Sequence, residues 1–326
     1  MRVLVIRFSS IGDIVLTTPV VRCLKLQYPD IEIHYLTKPA FLSILEQNPY
    51  ITKVHLLDKN LAITIKALQK EQFDLVIDLH NNLRSFFIKL SLGKRSYSFT
   101  KLNVEKWLIT KYKINKLPNI HVVDRYLGTV KKLGVKNDGK GLDYFIPQDE
   151  QVDTVVLWGI QPQTYTSLVI GAAHATKRMP LEQIQQLAIK IKGPIVLLGG
   201  PSDQIIGEVI AAVDSKKIIN ACGNFSLNQS ASIINQSRVV VTHDTGLMHI
   251  AAALHKKIVS IWGNTIPSFG MYPYYGNNIV PNFVAEVADL SCRPCSKIGF
   301  SECPKKHFNC MKMQDLRLIE AELNKL

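Results

Sequence analysis

The sequence predicts an α/β protein built from two Rossmann-like halves, and three features of its 326 residues predict it. Apolar runs of strand length alternate with helical stretches, the pattern of parallel βαβ units wound into a doubly covered sheet. That alternation lapses near residue 150 and then starts again. In both halves a small polar turn follows an apolar run, which is where open α/β sheets place their ligands. No repeat of short fixed period is present, so a solenoid is excluded.

In the first half, residues 2–8 (RVLVIRF) form the first strand, residues 9–13 (SSIGD) a polar turn, and residues 14–28 an amphipathic helix that stops before Pro29. Residues 31–36 form the second strand, 41–48 a helix, 53–57 a third strand and 61–70 another helix. Residues 73–79 form a fourth strand whose end carries Asp78, His80, Asn81 and Asn82. A helix over 122–133 leads into GVKNDGKG and then the looser IPQDEQVD. The boundary falls there, giving domains of residues 1–155 and 156–326, with Thr154 to Trp158 assignable to either side.

In the second half, residues 167–172 form a strand, 180–192 a helix and 195–198 a strand followed by the turn GGPSDQ. A helix over 205–213, a short strand over 218–220 and a helix over 227–236 come next. Residues 239–254, VVVTHDTGLMHIAAAL, read as a buried strand, a polar turn from Thr242 to Gly246, and an apolar helix beginning near Leu247. Residues 257–262 add one further strand, and residues 315–326 form a final helix.

The chain is 47% hydrophobic and 20% charged, an ordinary globular composition that argues against disorder. No apolar run reaches the roughly 18 residues of a membrane span, and MRVLVIRFSS lacks the long apolar core and cleavage site of a signal peptide. The chain is therefore read as cytoplasmic. Its net charge of +13 is uneven: residues 1–150 carry 23 basic against 14 acidic residues (+9), and the remainder 16 against 12 (+4). Nine basic residues lie between Arg84 and Lys116, opposed only by Glu105 and interleaved with Phe86, Phe87, Tyr97, Phe99, Trp107 and Tyr112. That mixture suits nucleic acid, an anionic membrane surface or a phosphorylated acceptor, and equally a solvated helical face with aromatics packed beneath it.

Two turns carry the chemistry. In SSIGD, Ser9, Ser10 and Gly12 let a ligand approach the backbone, and Asp13 is either a proton acceptor at the mouth of a cleft or a helix N-cap. In the later turn Asp244 or Thr245 caps the helix and Gly246 admits a close neighbour. The first free N–H groups and the positive end of the helix dipole then favour a phosphate, although a plain αβ connection with a good N-cap has the same pattern. Neither GxGxxG nor GxxxxGK[ST] occurs, which speaks against dinucleotide cofactors and P-loop chemistry.

RFSSIGD, the Lys-x-x-Pro of ATKRMP, the GGPSD turn and DTGLMHIAAAL jointly resemble the heptosyltransferases of lipopolysaccharide synthesis, glycosyltransferase family 9, in order and spacing over nearly the whole chain. The resemblance implies a GT-B fold, two Rossmann-like domains facing each other across a cleft. It implies the acceptor on the N-terminal domain and a nucleotide-sugar donor, usually ADP-heptose, on the C-terminal one, with the final helix packing back onto the N-terminal domain. An inverting transfer is implied, with no catalytic metal and no cofactor. Asp13 matches the family's general base and Lys177 its phosphate-binding lysine, while the N–H groups of Thr245 and Gly246 complete the stabilisation of the departing diphosphate. Ser10, Gly12, Thr176, Asp203, Asp244 and His249 make up the other expected donor contacts, Asp203 towards the ribose or sugar. His249 either touches phosphate or sugar or is a buried histidine bonded to a backbone carbonyl.

The chain departs from the family between Trp262 and Tyr275, WGNTIPSFGMYPYY, where Asn264 stands in place of the proline of a G-P-T pattern. The implied sugar is accordingly a heptose or a relative. The basic segment from Arg84 to Lys116 falls in the domain where the acceptor would bind. It is thus a candidate surface for a lipopolysaccharide core or lipid A acceptor, or for the anionic inner-membrane leaflet that holds it, with the protein peripheral on that face. No nucleic-acid partner is expected.

Cys292-x2-Cys295-x7-Cys303-x6-Cys310 gathers four thiols in one stretch, while Cys23 and Cys222 stand alone. In a cytosolic chain the spacing fits a structural zinc site, with free reduced thiols and disulfides as the alternatives; the second pair is not CxxC. Three rival readings stay open at this point, one of them a catalytically idle scaffold of the same fold that would survive Asp13→Ala without loss of function. Another nucleotide-sugar enzyme of the same fold, such as an epimerase, would turn over donor without an acceptor. A basic nucleic-acid-binding protein would show salt-sensitive binding and leave the SSIGD and DTG turns without purpose.

Overall fold

Val3, Leu4, Val5 and Ile6 are wholly buried, as an apolar strand covered on both faces of a parallel sheet requires. In the computed structural model, which describes residues Met1–Leu326, this run is the central strand of the first of two units. That unit comprises Met1–Lys101, Ile120–Phe145 and Gly276–Asn278. Its strands are β1 (Arg2–Ile6), β2 (Glu32–Thr37), β3 (Lys53–Leu56), β4 (Leu75–Asp78) and β5 (Arg95–Ser98), all parallel in the order β3-β2-β1-β4-β5. Val3 lies between Ile33 and Leu75, and Ile6 between Leu36 and Asp78.

The helices that follow these strands are α1 (Ile11–Val15), α2 (Thr18–Gln27), α3 (Leu61–Gln69) and α4 (Leu83–Leu92). The single helix expected over 14–28 is broken in two. The hydroxyls of Thr17 and Thr18 donate to the carbonyls of Ile14 and Val15 at 2.7 and 2.8 Å, and Pro19, which has no N–H to give, sits in the first turn of α2. The helix expected over 41–48 is a 3₁₀ turn at Pro39–Ile44. One face of the sheet is closed by Leu4, Ile6, Leu36, Leu68, Phe73, Val76 and Ile88.

The second unit comprises Leu102–Asn119, Ile146–Tyr275 and Ile279–Leu326. Helix α5 (Asn103–Tyr112) belongs to it, so the basic segment is divided: residues 84–101 lie in the first unit and residues 102–116 in the second. Helix α6 (Val122–Leu127) returns to the first unit, and the helix expected over 122–133 stops at Gly128, leaving a separate 3₁₀ turn at Lys131–Leu133. The chain passes to the second unit at Ile146 and forms α7 (Thr154–Trp158), capped by the Asp153 carboxylate.

Six parallel strands follow: β6 (Thr166–Val169), β7 (Ile195–Leu198), β8 (Ile218–Asn220), β9 (Val239–His243), β10 (Ile258–Trp262) and β11 (Asn282–Glu286), in the order β11-β10-β9-β6-β7-β8. Their helices are α8 (Leu181–Lys190), α9 (Gln204–Ala211), α10 (Leu227–Gln236), α11 (Gly246–Ala253), α12 (Asn309–Lys312) and α13 (Leu316–Lys325). The final helix was expected to pack on the N-terminal domain. Its apolar stripe, Leu316, Ile319 and Leu323, is part of the second unit's own core with Leu187, Val259 and Ile261. No helix is long and apolar enough to cross a membrane.

Strand order reverses between β1 and β4 in the first sheet and between β6 and β9 in the second. Open α/β sheets form their ligand crevices beyond the carboxyl ends of such strand pairs. The SSIGD turn follows β1, and the DTG turn follows β9.

Candidate active site

Beyond β1 the chain runs through Arg7 and Phe8 into Ser9 and Ser10, and Asp13 is the third residue of α1. Ser10 is the N-cap. Asp13 reaches back to it, its Oδ2 accepting from Ser10 Oγ at 2.7 Å and from Ser10 N at 3.3 Å. Its Oδ1 lies 2.7 Å from Arg7 Nη2. Arg7 is itself buried and aimed: Nε donates to Ser9 O at 2.7 Å and Nη1 to Leu79 O at 2.6 Å. The result is a carboxylate held by Arg7 and Ser10, with about a fifth of its side chain open to solvent.

The end of β4 supplies the neighbouring wall. Asp78 is fully buried, and its Oδ1 accepts the backbone N–H groups of His80 and Asn81 at 3.0 and 2.7 Å while Lys89 Nζ stands 2.9 Å from Oδ2. The His80 ring packs 4.6 Å from that of Phe8. Burial, aided by the charges of Arg7 and Lys101, pushes His80 down to about 4, so it is neutral at pH 7. Its Nδ1 is buried with no hydrogen-bond partner in the protein.

In the second unit the loops after β6 and β9 meet at the strand reversal. Lys177 Nζ lies 2.6 Å from Asp244 Oδ2 and donates to Asp244 O at 3.3 Å. Thr265, just beyond β10, donates its hydroxyl to the same Oδ2 at 2.9 Å. Thr245 is the N-cap of α11, and its hydroxyl is 3.3 Å from that of Thr242. Two residues past Lys177, Met179 N donates to His243 Nε2 at 3.1 Å, which ties the lysine loop to β9. Burial pushes His243 down to about 4, and the neutral ring is the form that can accept this bond. An ammonium group and the N-terminus of an eight-residue helix are thereby gathered at one place, a donor set suited to a diphosphate.

The remaining expected residues divide. Ser10 and Gly12 lie in the first unit, in the Asp13 turn. Thr176 is buried, with its hydroxyl accepting from Phe300 N at 2.8 Å, so it braces the lysine loop from behind. His249 is buried in the first turn of α11. Asp203 is buried too: its Oδ2 accepts from Gly200 N at 2.9 Å, and its Oδ1 is 3.1 Å from Arg178 Nη1. A Cβ at Gly171 would come within 2.3 Å of that carboxylate, so glycine is required there. Arg7, His243 and Thr265 are the partners that sequence reading missed. An arginine directly after an apolar strand was the available signal for the first, since a buried guanidinium demands a partner.

Asn264 is almost wholly buried, and neither its amide nitrogen nor its oxygen has a hydrogen-bond partner in the protein. It adjoins Thr265, and so stands one residue from the Asp244 contact. All six cysteines are free thiols. Cys292 Sγ is 3.8 Å from His307 Nε2, and burial raises Cys295 and pushes Cys310 up to about 12.

The model of the family described as glycosyltransferase family 9 (heptosyltransferase) matches residues 62–303. The lipooligosaccharide heptosyltransferase 2 of Haemophilus ducreyi is 27% identical over 299 residues, 82% of this chain and 85% of that protein. The lipopolysaccharide heptosyltransferase 1 of Pseudomonas aeruginosa is 26% identical over 324 residues, 91% of this chain and 86% of that protein. Among solved structures, a family 9 glycosyl transferase from Veillonella parvula aligns with a TM-score of 0.79 at 22% identity, covering 100% of this chain and 98% of that one. The E. coli heptosyltransferase WaaC with ADP aligns at 0.70 and 20% identity, covering 100% and 99%. These structural likenesses show the fold, two parallel α/β sheets as in the GT-B heptosyltransferases.

Proposed function

The chain belongs to glycosyltransferase family 9, the heptosyltransferase family, and from that premise we propose that it moves a heptose, or a closely related sugar, from ADP-heptose to a lipopolysaccharide core acceptor. The observation that carries the reading is the meeting of Lys177, Asp244 and the start of α11 at the second sheet's strand reversal. The solved E. coli relative was obtained with ADP and with ADP-2-deoxy-2-fluoro heptose, which supports an ADP-sugar as donor.

The second unit takes the donor. Its diphosphate draws Lys177 away from Asp244 and accepts the N–H groups of Thr245 and Gly246. The first unit supplies Asp13, which takes the proton of the acceptor hydroxyl as that oxygen attacks the anomeric carbon. The bond from that carbon to the diphosphate breaks, and the negative charge gathering on ADP falls on Lys177 and the helix N-terminus. One displacement inverts the anomeric configuration, and the lysine and helix dipole provide the positive charge without a divalent ion. The buried, unpartnered amide of Asn264 supports a donor-sugar pocket different from that of relatives with proline there.

Helix α4 supports docking on a lipid-held acceptor at the cytoplasmic face of the inner membrane. It exposes Leu83, Phe86, Phe87 and Leu90 on a segment that also exposes Arg84. The reading is tested by calorimetric titration with ADP, UDP and GDP without divalent metal, followed by a transfer assay with ADP-heptose and a core acceptor. ADP preference that Lys177→Ala weakens and Asp13→Ala spares is the expected result. Absence of nucleotide binding overturns it, and donor turnover without acceptor points to epimerase chemistry.

A further inference from the structure

We propose that His34, His55 and Glu71 form a binding site for one divalent transition-metal ion, zinc by the chemistry of its donors, at the β2–β3 edge of the first unit's sheet. Their ligand atoms all lie within 4.8 Å of one another. His34 Nδ1 is 2.8 Å from His55 Nε2 and 3.9 Å from Glu71 Oε2, and His55 Nε2 is 4.0 Å from Glu71 Oε1. Zinc bonds of about 2.0–2.2 Å at tetrahedral angles place neighbouring donor atoms roughly 3.4 Å apart. The imidazole nitrogens therefore part by about half an ångström and the carboxylate closes by a similar amount, shifts within the reach of side-chain torsions.

Residues 34, 55 and 71 share no motif spacing. The parallel register sets His34 opposite Lys53 and Leu36 opposite His55, which brings both histidines to the sheet face lined by Leu4 and Phe73. Glu71 enters from the loop between α3 and β4. Two imidazoles and one carboxylate leave a fourth position for water, a donor set that suits zinc. Burial pushes His34 down and His55 to about 4, so both rings are in the neutral, metal-binding form at pH 7.

A carboxylate stands behind the His34 ring. His34 Nε2 faces Glu32 Oε2 at 4.0 Å, and Glu32 is held by Arg2 Nε at 2.7 Å. Once that carboxylate closes to hydrogen-bond distance of the far N–H, it orients the ring and strengthens it as a ligand. Phe73 stands edge-on to both rings, at 5.2 and 6.1 Å, and walls off one side. Without the ion, the two facing nitrogens share one N–H. On binding, that proton moves to the far nitrogen of its own ring and none is lost. Lys53 Nζ, 2.6 Å from Glu71 Oε1, occupies the cation's place; its side chain is 55% exposed and can turn to solvent.

The test is titration of the full chain, freed of metal by chelation, with Co²⁺ and then Zn²⁺. The expected result is one Co²⁺ giving the visible bands of a four-coordinate nitrogen and oxygen site, without the thiolate-to-cobalt band that binding at residues 292–310 would produce. Zn²⁺ then displaces it and raises Tm. His55→Gln and Glu71→Gln each weaken this binding by more than about tenfold, the lower end for losing an outer-shell partner. Lys53→Ala tightens it, a gain that a misfolded protein does not show. Failure to bind Co²⁺, a thiolate spectrum alone, unchanged affinity in His55→Gln and Glu71→Gln, or weaker binding in Lys53→Ala overturns the proposal.

Discussion

Lys177 Nζ stands 2.6 Å from Asp244 Oδ2 where the strand order of the second sheet reverses, so the cation of the candidate donor site is already paired before any donor arrives. Asp244 is steadied by the Thr265 hydroxyl and carries the ammonium as a placeholder. A diphosphate bound there, as proposed, would compete with one carboxylate and carry more negative charge than that carboxylate holds.

Replacing Lys177 tests this exchange. Lys177→Ala is expected to weaken ADP binding and to lower kcat/KM by about a hundredfold or more, roughly 2.7 kcal/mol of transition-state stabilisation. Lys177→Arg restores the charge in a planar fork and recovers only part of the loss. Calorimetry with ADP and initial rates at varied donor concentration measure both, and a Lys177→Ala enzyme with normal donor affinity would remove the lysine from the site.

Asp13→Asn keeps the shape that Ser10 and Arg7 hold but cannot accept a proton. The expected result is a fall in kcat of about 10²- to 10⁴-fold with ADP affinity unchanged. Steady-state rates between pH 5 and 9 check this, and a kcat within a factor of a few of the wild type would show that Asp13 is not the base.

The alternation of strand and helix was legible because buried parallel strands such as VLVI and VVV are continuous apolar runs. The edge strands β5 (RSYS) and β11 (NFVAE) escaped notice, since half-exposed edges carry little of that pattern. The two turns were found by their small and capping residues. Of their partners, Lys177 came to the DTG turn only through the family resemblance and Thr265 was missed, because such contacts close through the order of strands in the sheet: Lys177 and Asp244 are 67 residues apart. The same limit hid the placement of α5 in the second unit and of α13 on that unit's core. Local sequence announces an amphipathic helix, but tertiary packing chooses which sheet it covers.

The neutral His243 makes stability depend on pH in a stated direction. Its folded value, about 4, lies below the ordinary 6.5, so between these values the unfolded chain takes up a proton that the folded chain refuses. Its contribution is fully present above pH 6.5 and is lost as pH falls to about 4, an effect of roughly 3 kcal/mol. His243→Gln keeps an acceptor for Met179 N and removes the titration. Urea unfolding at pH 7.5 and pH 5 is therefore expected to show a smaller loss in the variant than in the wild type, and equal losses would refute the assignment.

Asp203 poses the sharpest choice between a ligand contact and a brace. Its oxygens are engaged by Gly200 N and Arg178, and Gly171 packs against it too closely for any side chain. Arg178 neighbours Lys177 and also donates to Ala172 O, so the pair holds the lysine loop against the β7 turn. Breaking a fully buried pair costs several kcal/mol, but Arg178 is about a third exposed and the figure must be discounted. Asp203→Asn is expected to cost about 1–3 kcal/mol of stability. A double-mutant cycle with Arg178→Ala should return much of that cost as coupling. Because the loop moves with its brace, donor affinity should fall in both single variants alike and hardly further in the double. A donor contact made by Asp203 itself predicts the opposite: affinity lost in Asp203→Asn, stability kept, and Arg178→Ala without effect on binding.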